Sequence, residues 1–375
     1  MTTVDIGPDL LTRLERRRAA MVEDLAALVA TESPSADRQA LAGCAALVGE
    51  IGARLLGAPA EVLAVDGRSH LRWRRGSDGP LVLGHFDTVW PRGTIDRWPF
   101  AVRDAQASGP GAFDMKAGIV QGLHALAELP ADRPVTLLLT SDEEIGSPSS
   151  RDLIAEEAAR APAVLVLEPS ERGALKTARK GFSTYELRIT GRAAHAGLDP
   201  GHGINAGIEL AHQVLAVARL AGTGPSAATT VTPTVASAGT TSNTVPAAAR
   251  LAVDVRAETA AEQERIDAAV RALRPALPGA RLELAGGIDR PPLEPALSAA
   301  LFALAGYVAA ALGLDPPGSA HVGGASDGNI TAALGVPTLD GLGAVGANAH
   351  AEGEFVVLDE LPRRAALLAG LITGL

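Results

Sequence analysis

Apolar positions recur every three to four residues near the start of the chain. The spacing predicts one helix over Leu10–Ala30, ending at the turn-and-cap cluster TESPS (31–35), and a second over Arg38–Leu55. The texture then changes to short apolar runs alternating with helical ones. This predicts an α/β fold: a mostly parallel sheet flanked by helices. Four runs lead directly into chemistry. PLVLG (80–84) precedes His85 and Asp87, PVTLLLT (134–140) precedes Asp142, Glu143 and Glu144, PAVLVLE (162–168) ends on Glu168, and GVPTLDGLG (335–343) precedes a loop reaching His350. Open α/β sheets bind ligands beyond the carboxyl ends of their strands, so these side chains are expected to gather there.

From Gly181 to about Glu283 the pattern differs. Alternating strands (Ser183–Ile189, Arg250–Val255) mix with helical stretches (Asn205–Ala221, Ala260–Leu273). The Thr/Ala/Ser-rich stretch Gly222–Val245 reads as strand and loop, and GGIDRPP (286–292) as a connector. The expected organisation is a domain in two segments, 1–180 and 289–375, with a smaller α+β domain, 181–288, inserted between them.

Composition narrows the function classes. Against 43 acidic residues stand 33 basic ones, a net charge of −10, which disfavours nucleic acid or an anionic membrane as partner. Cys44 is the only cysteine, excluding an intrachain disulfide and a cysteine-based zinc cluster. The charged segment Leu10–Arg18 lacks the apolar core of a secretory signal, and no stretch approaches about 20 clean apolar residues, so a cytoplasmic chain without a membrane anchor is expected.

Two imidazoles and three carboxylates (His85, His350, Asp114, Glu144, Glu168) match the ligand needs of a pair of zinc ions, with one carboxylate shared. Such ions polarise a scissile carbonyl and acidify water. Glu143, next to a ligand but not itself one, suits a general base that takes the water's proton and passes it to a leaving amine.

Nine motifs in order carry a resemblance over nearly the whole chain: GHFDTV (84–89), GPGAFDMKAG (109–118), TSDEEIGS (140–147), LEPS (167–170), GRAAHAG (191–197), SNTVP (242–246), DVR (254–256), GGASDG (323–328) and NAHAEGE (348–354). The chain resembles the zinc exopeptidase and aminoacylase family of glutamate carboxypeptidase, acetylornithine deacetylase and succinyl-diaminopimelate desuccinylase. FDTVWPRGTI, FDMKAG and SRDLI resemble the glutamate carboxypeptidase branch most.

The resemblance implies that His85 and Glu168 bind one zinc and Glu144 and His350 the other, with Asp114 bridging; cobalt or manganese are possible substitutes. Asp87 would orient the His85 imidazole, and Glu143 would be base and acid. The inserted domain would be a lid through which the chain forms a homodimer. From it His195 would reach the partner's site to stabilise the oxyanion, while Asn243 and Arg256 would hold the carbonyl or carboxylate of the substrate. A cis peptide between Asp114 and Met115 is also implied, and relatives often carry an acid where Met115 stands. The expected activity is cleavage of an amide bond beside a free carboxylate, in a peptide or an N-acyl amino acid. The alternative is a biosynthetic deacylase acting on acetylornithine or succinyl-diaminopimelate. A non-catalytic metal-binding scaffold would have lost the base or a ligand, and here Glu143 and all five ligands are present.

Overall fold

The structure, a computed structural model, describes residues 9–222 and 228–375. It divides into two compact units. One runs to Ala178 and resumes over Pro295–Val322 and Ser326–Leu375; the other comprises Arg179–Glu294 with Gly323–Ala325.

The first unit is built on a six-stranded sheet in the order Glu61–Val65, Arg68–Arg75, Val135–Thr140, Leu81–His85, Val164–Val166, Thr338–Leu339. The last four strands are parallel, and the first two form an antiparallel hairpin at one edge. Leu81–His85 is buried throughout because helices cover both faces of the sheet. Alternate residues of the same run serve two cores. Leu81 and Leu83 join Leu138, Ile154 and Ile330 on one face, while Val82 joins Leu137, Leu139, Leu123 and Leu368 on the other. The α/β architecture with a mostly parallel, helix-flanked sheet is therefore as the sequence predicted.

Three local readings need correction. The first helix is two, Leu10–Arg16 and Arg18–Ala30, separated at Arg17. Leu14 and Met21 are buried on either side, so apolar spacing alone does not reveal the break. There Arg13 and Arg17 converge on Glu128 at 2.6 and 2.7 Å, and Arg18 pairs with Asp359 at 2.6 Å. Next, Arg38–Leu56 is the one described helix long and apolar enough to cross a membrane, its mean hydropathy being 1.3. It contributes Leu41, Cys44, Val48 and Ile51 to the buried core, with Asp37 capping its start through the N–H groups of Gln39 and Ala40. Finally, most of the 286–292 stretch is not a connector.

That stretch continues a strand of the second unit, Arg281–Arg290. This unit is an antiparallel sheet in the order Thr230–Ala238, Ala248–Ala257, Gly181–Thr190, Arg281–Arg290. Gly286 holds φ +89°, and a Cβ there would lie 2.1 Å from the carbonyl oxygen of Thr184, so glycine is needed for the strand to pass. Helices Ala206–Ala218 and Ala260–Arg271 are capped by Asn205 and Thr259, and they close a separate core around Tyr185, Leu187, Leu251 and Val253. The part of the Thr/Ala/Ser-rich stretch at 223–227 lies outside the described residues; Thr230–Ala238 is strand.

Candidate metal centre

Parallel pairing puts the ends of three strands side by side. His85 pairs in register with Thr140, and Leu83 with Val166, so the chain leaves the sheet at one edge toward Glu143, Glu144 and Glu168. Asp114 arrives from the turn before the buried helix Ala117–Ala127, and the peptide bond between Asp114 and Met115 is cis.

Asp114 faces both ways. Its Oδ1 lies 3.5 Å from His85 Nε2, which is itself 3.4 Å from Glu168 Oε1. Its Oδ2 lies 3.3 Å from His350 Nε2, which is 3.2 Å from Glu144 Oε2. Two triads result, His85–Asp114–Glu168 and Asp114–Glu144–His350, each with ligand atoms within 4.8 Å of one another. Among the described residues, Asp114 Oδ1 and Glu144 Oε1 are buried with no hydrogen-bond partner, a costly arrangement for carboxylate oxygens unless a cation answers them. The residues therefore fit a pair of divalent ions: mixed imidazole and carboxylate donors, one carboxylate shared, and two buried oxygens otherwise unanswered.

Electrostatics support this. Burial would lower the His85 pKa, but the neighbouring carboxylates of Asp114, Asp87 and Glu168 raise it well above the ordinary histidine value. Asp114 and Glu144 beside His350 push it up to about 10. Burial would raise the Asp114 carboxyl, but the two imidazoles hold it far below the usual range; burial and the Asp114 charge push Glu144 up. The same negative field that charges the imidazoles attracts a metal ion.

Around these groups lies a frame. Asp87, fully buried, accepts N–H donors from Glu143 and Glu144 at 3.2 Å each and the Ser35 hydroxyl at 2.7 Å. His85 Nδ1 lies 3.0 Å from the Asp87 carbonyl and 3.4 Å from its carboxylate, which fixes Nε2 toward Asp114 and Glu168. One aspartate thus orients a histidine and anchors the backbone of the Glu143–Glu144 turn. Asp142, bound by Ser149 and Ser150, and the Ser147–Asp327 hydrogen bond hold the far side of that turn. Glu143 itself is half-buried.

Sequence reasoning passed over Glu354. Its buried carboxylate accepts N–H from Gly111 (3.1 Å), Phe113 (2.7 Å) and Asp114 (2.8 Å) and from the Trp90 indole (2.9 Å). Burial nonetheless pushes the carboxyl up to about 7. Its only sequence signal is an acid four residues beyond His350 in AHAEGE, where Glu352 looks equally eligible.

His195, Asn243 and Arg256 lie in the second unit. His195 is exposed and bridges Thr244, and the Asn243 carbonyl accepts from Ala196 N–H at 2.9 Å. His195 Nδ1 accepts N–H from Gly197 and Leu198 at 3.1 Å each, which puts the proton of the neutral ring on Nε2 and leaves that edge a donor. Arg256 stacks 4.1 Å over the Phe182 ring, with Asp254 gripping it through two 3.1 Å bonds.

Residues 81–374 match the model of peptidase family M20/M25/M40. The chain belongs to this family. It is 34% identical to carboxypeptidase G2 of Pseudomonas sp. (strain RS-16) over 80% of this chain and 75% of that protein. To the succinyl-diaminopimelate desuccinylase of Thioalkalivibrio sulfidiphilus (strain HL-EbGR7) it is 28% identical over 98% of both chains. The fold is shared with the solved Bacillus subtilis YXEP protein, a dinuclear metal-binding peptidase of the M20 family, at TM-score 0.64 and 15% identity, covering 96% of this chain and 98% of that one. The chain is a metallohydrolase of this family.

Proposed function

We propose that this M20-family hydrolase is a carboxypeptidase or N-acyl-amino-acid hydrolase with two zinc ions, cutting an amide bond next to a free carboxylate. His85 and Glu168 would hold one ion and Glu144 and His350 the other, with Asp114 shared. The observation that carries this is the two-way set of Asp114, one oxygen toward each histidine–glutamate pair. Bound ions supply Lewis acidity toward the carbonyl and toward water. Glu143 moves the proton from water to the leaving amine, its turn held still by the Asp87 carboxylate.

The second unit acts as a dimerisation lid. His195 offers Nε2–H to the oxyanion in the partner subunit's site, and Asn243 and Arg256 receive the carbonyl and carboxylate of the substrate. Support comes from the fixed His195 tautomer, from the Phe182–Asp254 seat of Arg256, and from an exposed edge strand, Thr230–Ala238, whose outer side pairs with no strand among the described residues and suits a second copy. The lone buried Cys44 suits a reducing cytoplasm. A second reading, a desuccinylase or deacetylase, is favoured by the desuccinylase relative that matches the full length.

The test is a hydrolysis screen of the zinc-loaded protein, with and without chelator, on N-acyl amino acids, dipeptides including those ending in glutamate, acetylornithine and succinyl-diaminopimelate. Chelator-sensitive release of a C-terminal amino acid is expected. Turnover confined to the last two compounds supports the second reading, and no turnover of any of them with two ions bound rejects both.

A further inference from the structure

We propose that Glu354 is a positioning residue for the metal centre, its buried carboxylate drawing together the Asp114 loop, the segment after strand Leu81–His85 and its own His350 loop. The inference rests on the metal-centre reading above. Three donors come from the backbone of one loop, Gly111, Phe113 and Asp114, and the fourth is the indole of Trp90, three residues beyond Asp87. The Asp114 N–H is itself among them, at 2.8 Å, so a shift of the Glu354 carboxylate carries the shared aspartate with it.

The loop that bears Glu354 is tied to the same frame. Its carbonyl accepts from Gly109 N–H at 3.4 Å, and its N–H bonds the carbonyl of Ala351, next to His350. Just beyond it, Phe355–Val357 pairs with Gln106–Ser108, the strand that leads into the Asp114 loop. His350 sits at φ +62° and Asn348 at φ +66°, in the left-handed region that Asn and His enter more readily than most side chains. One carboxylate therefore sets the spacing between Asp114 and His350, residues that would hold the same ion, without itself belonging to the ligand set. The carboxylate thus grips the Asp114 loop and Trp90, while the backbone of the same residue closes the loop that carries His350.

The prediction concerns metal affinity, independent of any substrate. Full-length wild type, Glu354→Gln, Glu354→Ala and Trp90→Phe are stripped by chelation, titrated with Zn2+ by calorimetry and reloaded with Co2+ for visible absorption. Glutamine keeps the size but offers one acceptor oxygen and turns an NH2 group toward N–H donors. The expected result is at least about tenfold weaker binding of one of the two ions in Glu354→Gln, with an altered cobalt spectrum, the range seen when groups supporting ligands are removed. Trp90→Phe, which removes one donor of four, shifts both readings less. Wild-type affinities and an unchanged spectrum in the Gln and Phe variants overturn the proposal, even if the metal-free proteins melt at lower temperature. Should Glu354→Gln not fold, Trp90→Phe decides by the same criterion. Wild type that takes up no divalent ion overturns the metal-centre reading, and this inference with it.

Discussion

A backbone atom, more than any side chain, limits what can change around Glu168. The Leu167–Glu168 segment runs between Gly118 and Gly343: a Cβ on Gly118 would stand 2.3 Å from the Leu167 carbonyl oxygen, and one on Gly343 would stand 2.1 Å from it. Gly118→Ala in a helix ordinarily gains propensity, yet here it forces the strand end aside at a cost of about 1–3 kcal/mol. Denaturant unfolding should report that loss together with weaker zinc binding, since Glu168 moves with the strand; unchanged values for both would mean that the helix yields instead. Glu143→Gln makes the opposite kind of change. It keeps the shape of the side chain and both backbone bonds to Asp87, so melting temperature and bound zinc should match wild type while kcat drops about 10²–10⁴-fold, the usual worth of a general base. A Gln variant retaining most of its turnover would move the base elsewhere. Asp87 was legible as an acid near His85. Its hold on the N–H groups of Glu143 and Glu144 was not, because the two segments are far apart along the chain and only parallel pairing joins them.

At the scale of elements, apolar runs ending in acids revealed the parallel sheet and the edge where its chemistry gathers, because strands buried on both faces leave no polar alternation to mislead. Other features were hidden. The break at Arg17 falls inside continuous apolar spacing, and Arg281–Arg290 carries glycines and an aspartate that mimic a turn. Glu209 was hidden too: it lies in helix Ala206–Ala218 as an acid among apolar residues. Its buried carboxylate accepts N–H from Ala276 and Leu277 and the Gln213 amide, joining its helix to the segment beyond Ala260–Arg271. Burial would raise its pKa, but these donors outweigh burial and hold it below the ordinary 4.5. The ionised form is thus the one the fold binds. The stabilisation is complete above pH 4.5 and fades as pH falls through the lower folded value. Glu209→Gln should destabilise by about 1–3 kcal/mol at pH 7, and the gap from wild type should narrow as pH falls below the ordinary 4.5. Urea melts across pH 3–8 measure it, and a gap as wide at pH 3 as at pH 7 would contradict the ionic account.

At the scale of the whole molecule, no core cluster of the described residues spans both units. One cluster gathers Leu25, Leu123, Leu137 and Leu368 around the parallel sheet; another gathers Tyr185, Leu187, Leu251, Val253 and Ile266 within the second unit. The change from βα alternation to antiparallel strands foreshadows this in the sequence, because each pattern can bury its apolar face only against its own partners. The second unit also closes its own elements: Asn205 and Thr259 cap its helices, and Gln213 and Glu209 hold its loop. A four-stranded antiparallel sheet under two capped helices, with a core of its own, meets the requirements of an autonomous domain. A fragment spanning Arg179–Glu294 should therefore fold alone, giving one cooperative thermal transition and dispersed amide resonances. Its His195 tautomer should persist, because the Gly197 and Leu198 donors travel with it, and nitrogen-detected NMR should find the proton on Nε2. A fragment that melts without cooperativity would mean that its core depends on the unit it was cut from, and the separate character of the two cores would then be a property of their composition alone.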